Sequence, residues 1–294
     1  MKLSEISIGR TLFVARDGAF SSLGFANQRR PGMLTFLVSE EFSADVARND
    51  AISCVLATPD VADSVPAGIG LAVCDDPRLA FYHLHNHLAT ATSFYRTIGA
   101  GRISPTARVH PTAFVAPDVE IEDGVEIGPN AVVLPGTSVG AGSVIRAGSV
   151  IGSEGFQVIH WDNQVLRVVH AGTVRIGRGV DIHANCCVDR GLFGETAVGD
   201  EATIDNLVYV AHEVRIGERC RIGAHAVING SAVLGDDAWI GPGAVLSNGI
   251  SIGSQAIVTM GAVVTRDVPP SVRVSGNFAI DHERFRAHIR SIRQ

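Results

Sequence analysis

Between Val198 and Val264 an aliphatic residue stands at every sixth position: Val198, Ile204, Val210, Ile216, Ile222, Ile228, Leu234, Ile240, Leu246, Ile252, Val258 and Val264. A glycine often follows it, as at Gly217, Gly223, Gly235, Gly241 and Gly253. A period of two would mark a half-buried strand and a period near 3.6 an amphipathic helix. A fixed six-residue repeat marks a parallel β-helix, in which each coil buries its apolar side on its neighbours. The same register starts at Ile103 and continues through Val109, Val115, Ile121, Ile127, Val133, Val139, Ile145 and Ile151. It breaks, resumes at Ile176, Ile182 and Val188, and slips by four residues before Val198. Three hexads close a triangular coil, so these 24 repeats predict about eight coils.

Residues 1–100 follow another pattern. Apolar runs at Thr11–Ala15, Met33–Val38, Ala51–Ala57 and Ile69–Cys74 predict short strands. Glu40–Asn49 reads as a helix, and Asp76 followed by Pro77 is a helix start. The helix it opens, to about Ala89, carries Phe81, Leu84 and Leu88 on one face, with His83, His85 and His87 expected at the surface. The chain therefore divides into a small α/β domain (1–100), a β-helix (101–275) and a short C-terminal helix (276–294). The first break, 152–175, has β-rich runs on both sides of Asp162-Asn163, a hairpin turn signature, and predicts a loop extruded from the helix. The second, 189–197, predicts a bulge at one corner. Pro269-Pro270 is expected to end the prism, and Ile280–Ile292 to form a helix carrying Arg284, Arg286, Arg290 and, just beyond it, Arg293.

The chain of 294 residues is 46% hydrophobic and 18% charged, enough to bury a sizeable core, and its 32 glycines suit tight coils. A net charge of −6 argues against a broad nucleic-acid surface. The five cysteines show neither a disulfide framework nor zinc spacing. No run reaches the length of a membrane span and the start lacks the apolar core of a signal peptide, so the expectation is a cytoplasmic protein.

Hexads beginning Leu/Ile/Val-Gly resemble those of the hexapeptide-repeat acyltransferases, which implies a left-handed β-helix and a homotrimer. Handedness follows from the resemblance, since ordinary parallel crossovers are right-handed. Four segments are most similar to the UDP-3-O-acylglucosamine N-acyltransferase family of lipid A synthesis: IDNLVYVAHEVRIG (204–217), VDRG (188–191) with its register slip, GSEGF (152–156) and LTFLVSEEF (34–42). The last resembles that family's uracil-binding segment and implies that Phe36 and Phe42 clamp a base, with Phe42 in place of the usual tyrosine. The ending GAVVTRDVPPSVRVSGNFA (261–279) is more similar to nucleotide-sugar N-acetyltransferases, where this loop meets coenzyme A, and implies Gly261 and Arg266 as donor-binding residues. The implied activity is transfer of an acyl group from acyl-CoA or acyl carrier protein to the amine of a nucleotide-linked amino sugar, for lipid A, O-antigen or a related glycan, with no bound cofactor or metal.

Such a transfer needs a base for the amine proton and a donor for the tetrahedral oxyanion. Histidine, with an ordinary pKa of about 6.5, suits the first task, and His212 lies two residues past Val210 in the segment of resemblance. Positions 18 apart stack about 4.8 Å apart, so His212, Gly230 and Asn248 form a column. The resemblance makes the Gly230 N–H the oxyanion donor. One coil down, across the slip, lies Arg190, which either favours the neutral imidazole by its charge or ties down the bulge. Asn206 would contact the sugar, Asp205 would orient the imidazole or hold a turn, and Tyr209 would line a substrate wall. His170, His183 and His225 read as structural. Two alternatives compete: a zinc carbonic anhydrase-like prism, which needs a His-x4-His pair absent from the repeats, and a scaffold without catalysis, which leaves the Phe36/Phe42 pair and the His212 column unexplained.

Overall fold

The computed structural model describes residues 1–8, 12–95, 101–276 and 282–292, which fall into two compact units. The first comprises Met1–Ile98, Glu154–Gly172 and Leu192–Gly194; the second comprises Gly99–Ser153, Thr173–Gly191 and Glu195–Gln294. The 154–172 segment, which lies within the first break and carries the hairpin, is thus part of the N-terminal unit.

In the first unit, strands β1 (Phe13–Arg16), β2 (Ser22–Leu23), β3 (Met33–Leu37), β4 (Ile52–Ala57) and β5 (Gly70–Val73) form one sheet in the order β1-β5-β4-β3-β2. Its centre is parallel and buried; only β1 runs antiparallel, at the edge. The two-residue β2 was not legible from apolar runs. The Glu40–Asn49 segment resolves into a single 3₁₀ turn at Glu40–Phe42 and a short helix α1 (Ser43–Arg48). Helix α2 (Pro77–Ala91) starts as expected: the Asp76 side chain accepts from the Leu79 N–H at 2.9 Å. It buries Phe81, Leu84 and Leu88.

One expectation is overturned on α2. His85 is fully buried, not at the surface. Its Nε2 lies 2.6 Å from the Val169 carbonyl and its Nδ1 2.7 Å from the Tyr95 hydroxyl. A carbonyl can only accept, so Nε2 carries the proton and, in the neutral ring, Nδ1 accepts from the phenol. The ring thereby ties α2 to the return of the hairpin. That hairpin pairs Val158–Trp161 with Gln164–Arg167, and both turn residues, Asp162 and Asn163, take positive φ (43° and 58°), as a tight two-residue turn requires.

The second unit is a left-handed parallel β-helix. Its two- to four-residue rungs stack into three sheets of eight, eight and nine strands, one per face of the prism. The first face carries the inward Ile121, Val139, Ile176, Val198, Ile216, Leu234 and Ile252. The second carries Ile127, Ile145, Ile182, Ile204, Ile222, Ile240 and Val258. The third carries Val133, Ile151, Val188, Val210, Ile228 and Leu246. These side chains are almost wholly buried in one continuous core. Each such burial is worth about 1.5–3 kcal/mol, and the repeats supply it coil after coil.

Two corner positions explain the glycines. Where glycine follows the inward aliphatic, as on most coils of the first face, the next coil passes close to it: a Cβ on Gly217 would lie 2.7 Å from the Asp236 nitrogen, and one on Gly241 2.5 Å from that of Met260. Two residues later the backbone turns through positive φ at most corners of the repeat, as at Leu207 (62°), Glu213 (60°) and Gly249 (70°). Pro269-Pro270 does not end the prism. Beyond it Arg273–Val274 adds one further rung, pairing with Ile257–Val258, because the prolines sit at a corner where no ladder hydrogen bond is asked of them. Helix α3 (His282–Ile292) exposes Arg284, Arg286 and Arg290. Ile280, expected to begin it, and Arg293 lie outside the described residues. Among the described residues no helix is long and apolar enough to cross a membrane.

Candidate active site

The stacking of Tyr209-Val210 under Val227-Ile228 fixes the column two residues further on. The Ser231 N–H donates to the His212 carbonyl, and one coil up the Gly249 N–H donates to that of Gly230, each at 2.9 Å. His212, Gly230 and Asn248 therefore stand above one another. A Cβ built on Gly230 would fall 2.7 Å from His212 Nε2 and 2.8 Å from Cε1, so the Nε2 edge of the imidazole lies against the bare glycine. Gly230 is buried, yet its N–H donates to no protein group among the described residues. The N–H groups of Ala224 and Asn248, at the same corner position, likewise have no protein acceptor among the described residues. The one at Gly230 sits next to a histidine nitrogen, where an oxyanion would find it.

The other ring nitrogen faces a residue that sequence reasoning missed. Glu213, with a side chain 5% exposed, places Oε2 3.7 Å from His212 Nδ1. Adjacent residues in a strand point to opposite sides, so an Ala-His-Glu string signals no such pair. The positive φ of Glu213 turns it back on its neighbour. Its backbone N–H donates to the buried Thr196 hydroxyl at 2.7 Å, which anchors the corner. At 3.7 Å the carboxylate lies beyond hydrogen-bond distance, and its charge favours the tautomer with the proton on Nδ1, which leaves the Nε2 lone pair on the Gly230 side.

The remaining candidates separate. Arg190 donates from Nε to the Gly152 carbonyl at 2.8 Å and from Nη2 to that of Pro135, so its guanidinium ties down the bulge. Asp205 and Asn206 occupy the preceding corner, at the far end of the third face. Asp205 accepts from the Asn206 N–H (2.7 Å) and side-chain amide (2.8 Å) and lies 3.6 Å from His183 Nδ1; the Asn206 side-chain Oδ1 accepts from the Ala184 N–H. Asp205 thus takes the turn role, and the carboxylate beside His212 is Glu213. Tyr209 faces outward on the third face, three residues before His212, and Asn248 is exposed at its corner. Gly261 is another positive-φ corner (65°) with open space where a Cβ would be, and Arg266 is exposed on the turn after Val264. His225 is an exposed corner and His183 lies between Asp181 and Asp205. His170 is buried in the first unit.

In that unit Phe36 is half-buried among Phe25, Phe81 and Tyr82, its ring 5.2 Å from that of Phe81. Phe42, at the end of the 3₁₀ turn, is 47% exposed. Among the described residues no three His, Cys, Asp or Glu side chains converge as a metal site would need.

Residues 118–153, 195–230 and 231–266 match the bacterial transferase hexapeptide (six repeats), and 213–248 also match the hexapeptide repeat of succinyl-transferase. A UDP-3-O-acylglucosamine N-acyltransferase from Caulobacter sp. (strain K31) is 47% identical over 70 residues, 24% of this chain and 21% of the relative. One from Verminephrobacter eiseniae (strain EF01-2) is 41% identical over 68 residues, 23% and 21% of the two chains. The matches thus span about a fifth of the length of these curated relatives. A solved UDP-N-acetylglucosamine acyltransferase superposes with a TM-score of 0.50 at 21% identity, covering 67% of this chain and 78% of its own. It shares the fold. Over these three segments the chain carries the repeat of the bacterial transferase hexapeptide model, and its prism has the fold of the solved acyltransferase.

Proposed function

We propose that the protein is an N-acyltransferase that moves an acyl group from a thioester, acyl-CoA or acyl carrier protein, to the amine of a nucleotide-linked amino sugar. The observation that carries this reading is the His212 Nε2 edge lying against the buried, unpartnered N–H of Gly230. His212 takes the proton as the amine attacks the thioester carbon. The carbonyl oxygen becomes an oxyanion held by the Gly230 N–H, and collapse expels the thiolate, which takes a proton and leaves an amide. A positioned general base contributes about 10²–10⁴-fold and one oxyanion donor about 10²–10³-fold. The relatives named for N-acylation of UDP-3-O-acylglucosamine support the sugar nucleotide as acceptor and lipid A synthesis as setting. Phe36 and the exposed Phe42 are assigned to the nucleobase, Asn206 to the sugar, Asn248 and Tyr209 to the walls, and Gly261 and Arg266 to the donor. Arg190 and Asp205 are withdrawn from direct roles, since both are committed to neighbouring groups of their own corners.

The third face supports a homotrimer. Its outward residues are Phe114, Val132, Val150, Cys187, Tyr209, Val227, Val245 and Val263, an apolar ladder from end to end. The first face instead presents Arg102, Glu120, Ser138, Arg175 and Arg215, and the second Arg108, Glu126, Asp181 and Arg221. An apolar ladder running the length of one face, half-buried from Val132 to Val245 and exposed at Phe114 and Val263, calls for a protein partner, and in a closed homo-oligomer that partner is another copy. The deciding experiment offers the protein acetyl-CoA and 3-hydroxyacyl thioesters with a panel of UDP- and dTDP-amino sugars. An N-acylated sugar nucleotide is expected; amines left intact with every pair would refute the reading.

A further inference from the structure

Below the His212 corner lies a buried carboxylate that the proposed chemistry does not use. Asp189 is 2% exposed. Val188 stacks under Val210, so Asp189 lies one coil beneath Ala211, the residue before His212. Its Oδ2 accepts from the Tyr209 hydroxyl at 2.6 Å, and its Oδ1 from the Ser153 hydroxyl, with the Cys187 thiol 3.6 Å away and itself 3.1 Å from Ser153 Oγ. These donors are two hydroxyls and a thiol. An ionised carboxylate can only accept, so every one of them must point its hydrogen inward. An O–H donating to a carboxylate makes one of the stronger protein hydrogen bonds. The consequence falls on Tyr209. Its ring starts on the outer side of the third face and must run down to the coil below, because its hydroxyl is held there. Burial and the neighbouring Asp189 push the phenol well above its ordinary range, so the hydroxyl keeps its hydrogen at all working pH values.

We propose that Asp189 is a positioning residue that pins the Tyr209 ring as a fixed wall, one coil below the His212–Gly230 pair, against which the acyl chain of the thioester donor packs. This rests on the acyl-transfer reading above. The ring stands in the apolar ladder of the third face, three residues from the base, so a flat apolar surface begins where the thioester carbonyl must sit. Held in advance, it costs the donor no ordering on binding. Released, it must be ordered each time, at about 2–10-fold in affinity for one side chain.

The test uses the full chain, with Asp189→Asn, Tyr209→Phe and the double variant, in steady-state kinetics with a thioester donor. Each single change is expected to raise the donor KM by about 2–10-fold, with a much smaller change in kcat, and Asp189→Asn is expected to add nothing in the Tyr209→Phe background. Tyr209→Phe keeps the ring and carries the same expectation should Asp189→Asn fail to fold. A second readout is phenol ionisation followed by ultraviolet absorbance, in which Asp189→Asn lowers the pH at which the Tyr209 contribution appears. An unchanged donor KM in a folded variant, effects that multiply in the double variant, or an unaltered phenol titration would overturn the inference. A wild-type protein that turns over no thioester overturns the acyl-transfer reading itself.

Discussion

A Cβ at Gly230 would stand 2.7 Å from His212 Nε2. No real side chain tolerates that approach, so glycine here is fixed by the imidazole one coil below, and the positive φ that governs other corners plays no part. Gly230→Ala should therefore displace the ring and shield the N–H together, lowering kcat by at least the 10²–10³-fold roughly expected for one oxyanion donor. Steady-state rates checked against an unchanged circular dichroism spectrum would show it. Asn248→Ala, in the same column but exposed, should cost far less.

Glu213 faces the other side of the imidazole at 3.7 Å. If it holds the proton on Nδ1, Glu213→Gln should lower kcat by less than the about 10²–10⁴-fold loss of a general base, and should shift the pH–rate profile. A profile identical to wild type would leave Glu213 as an anchor of the corner through Thr196 and nothing more.

The register of hexads, the eight-coil scale, the helix start at Asp76 and the hairpin at Asp162-Asn163 were all legible in the sequence, because each depends on spacing or on local turn chemistry. The column of His212, Gly230 and Asn248 was legible for the same reason: in a coil of fixed length, counting residues gives neighbours. Legibility stopped where a side chain's direction depends on its corner. Glu213 turns back on His212 through a positive φ, and Asp189 is buried by a tyrosine from the next coil. His85 looked like a surface residue of α2 because its partners, Tyr95 and the Val169 carbonyl, lie 10 and 84 residues away. The rung after Pro269-Pro270 was missed because two prolines read as an ending unless the corner geometry is known.

The apolar ladder of the third face makes a prediction about assembly. Val227 and Val245 lie on it on neighbouring coils. Val227→Glu would place a charge in the face that the proposed trimer covers, where an unpaired charge is strongly disfavoured. Analytical ultracentrifugation should find the wild type trimeric and the variant reduced to monomer. A variant that stays trimeric would move the interface to another face.

Two corner carboxylates set an acid limit. The Arg178 backbone N–H and then its guanidinium hold Asp200, and the Arg219 guanidinium holds Asp237, below the usual carboxylate range. A folded pKa below the unfolded one gives stability that is complete above the unfolded value, about 3.9, and is lost as the pH falls through the folded value. Melting temperature should therefore begin to fall below about pH 4, and Asp200→Asn with Asp237→Asn should flatten that fall. Both pairs are exposed to solvent, so salt should weaken the effect.

The most direct test of the account is the rate of amide formation by His212→Ala with an acyl thioester and a nucleotide-linked amino sugar. The expected result is a loss of about 10²-fold or more, with the melting temperature and nucleotide binding retained. A variant that forms amide at close to the wild-type rate would show that the imidazole beneath Gly230 is not the base.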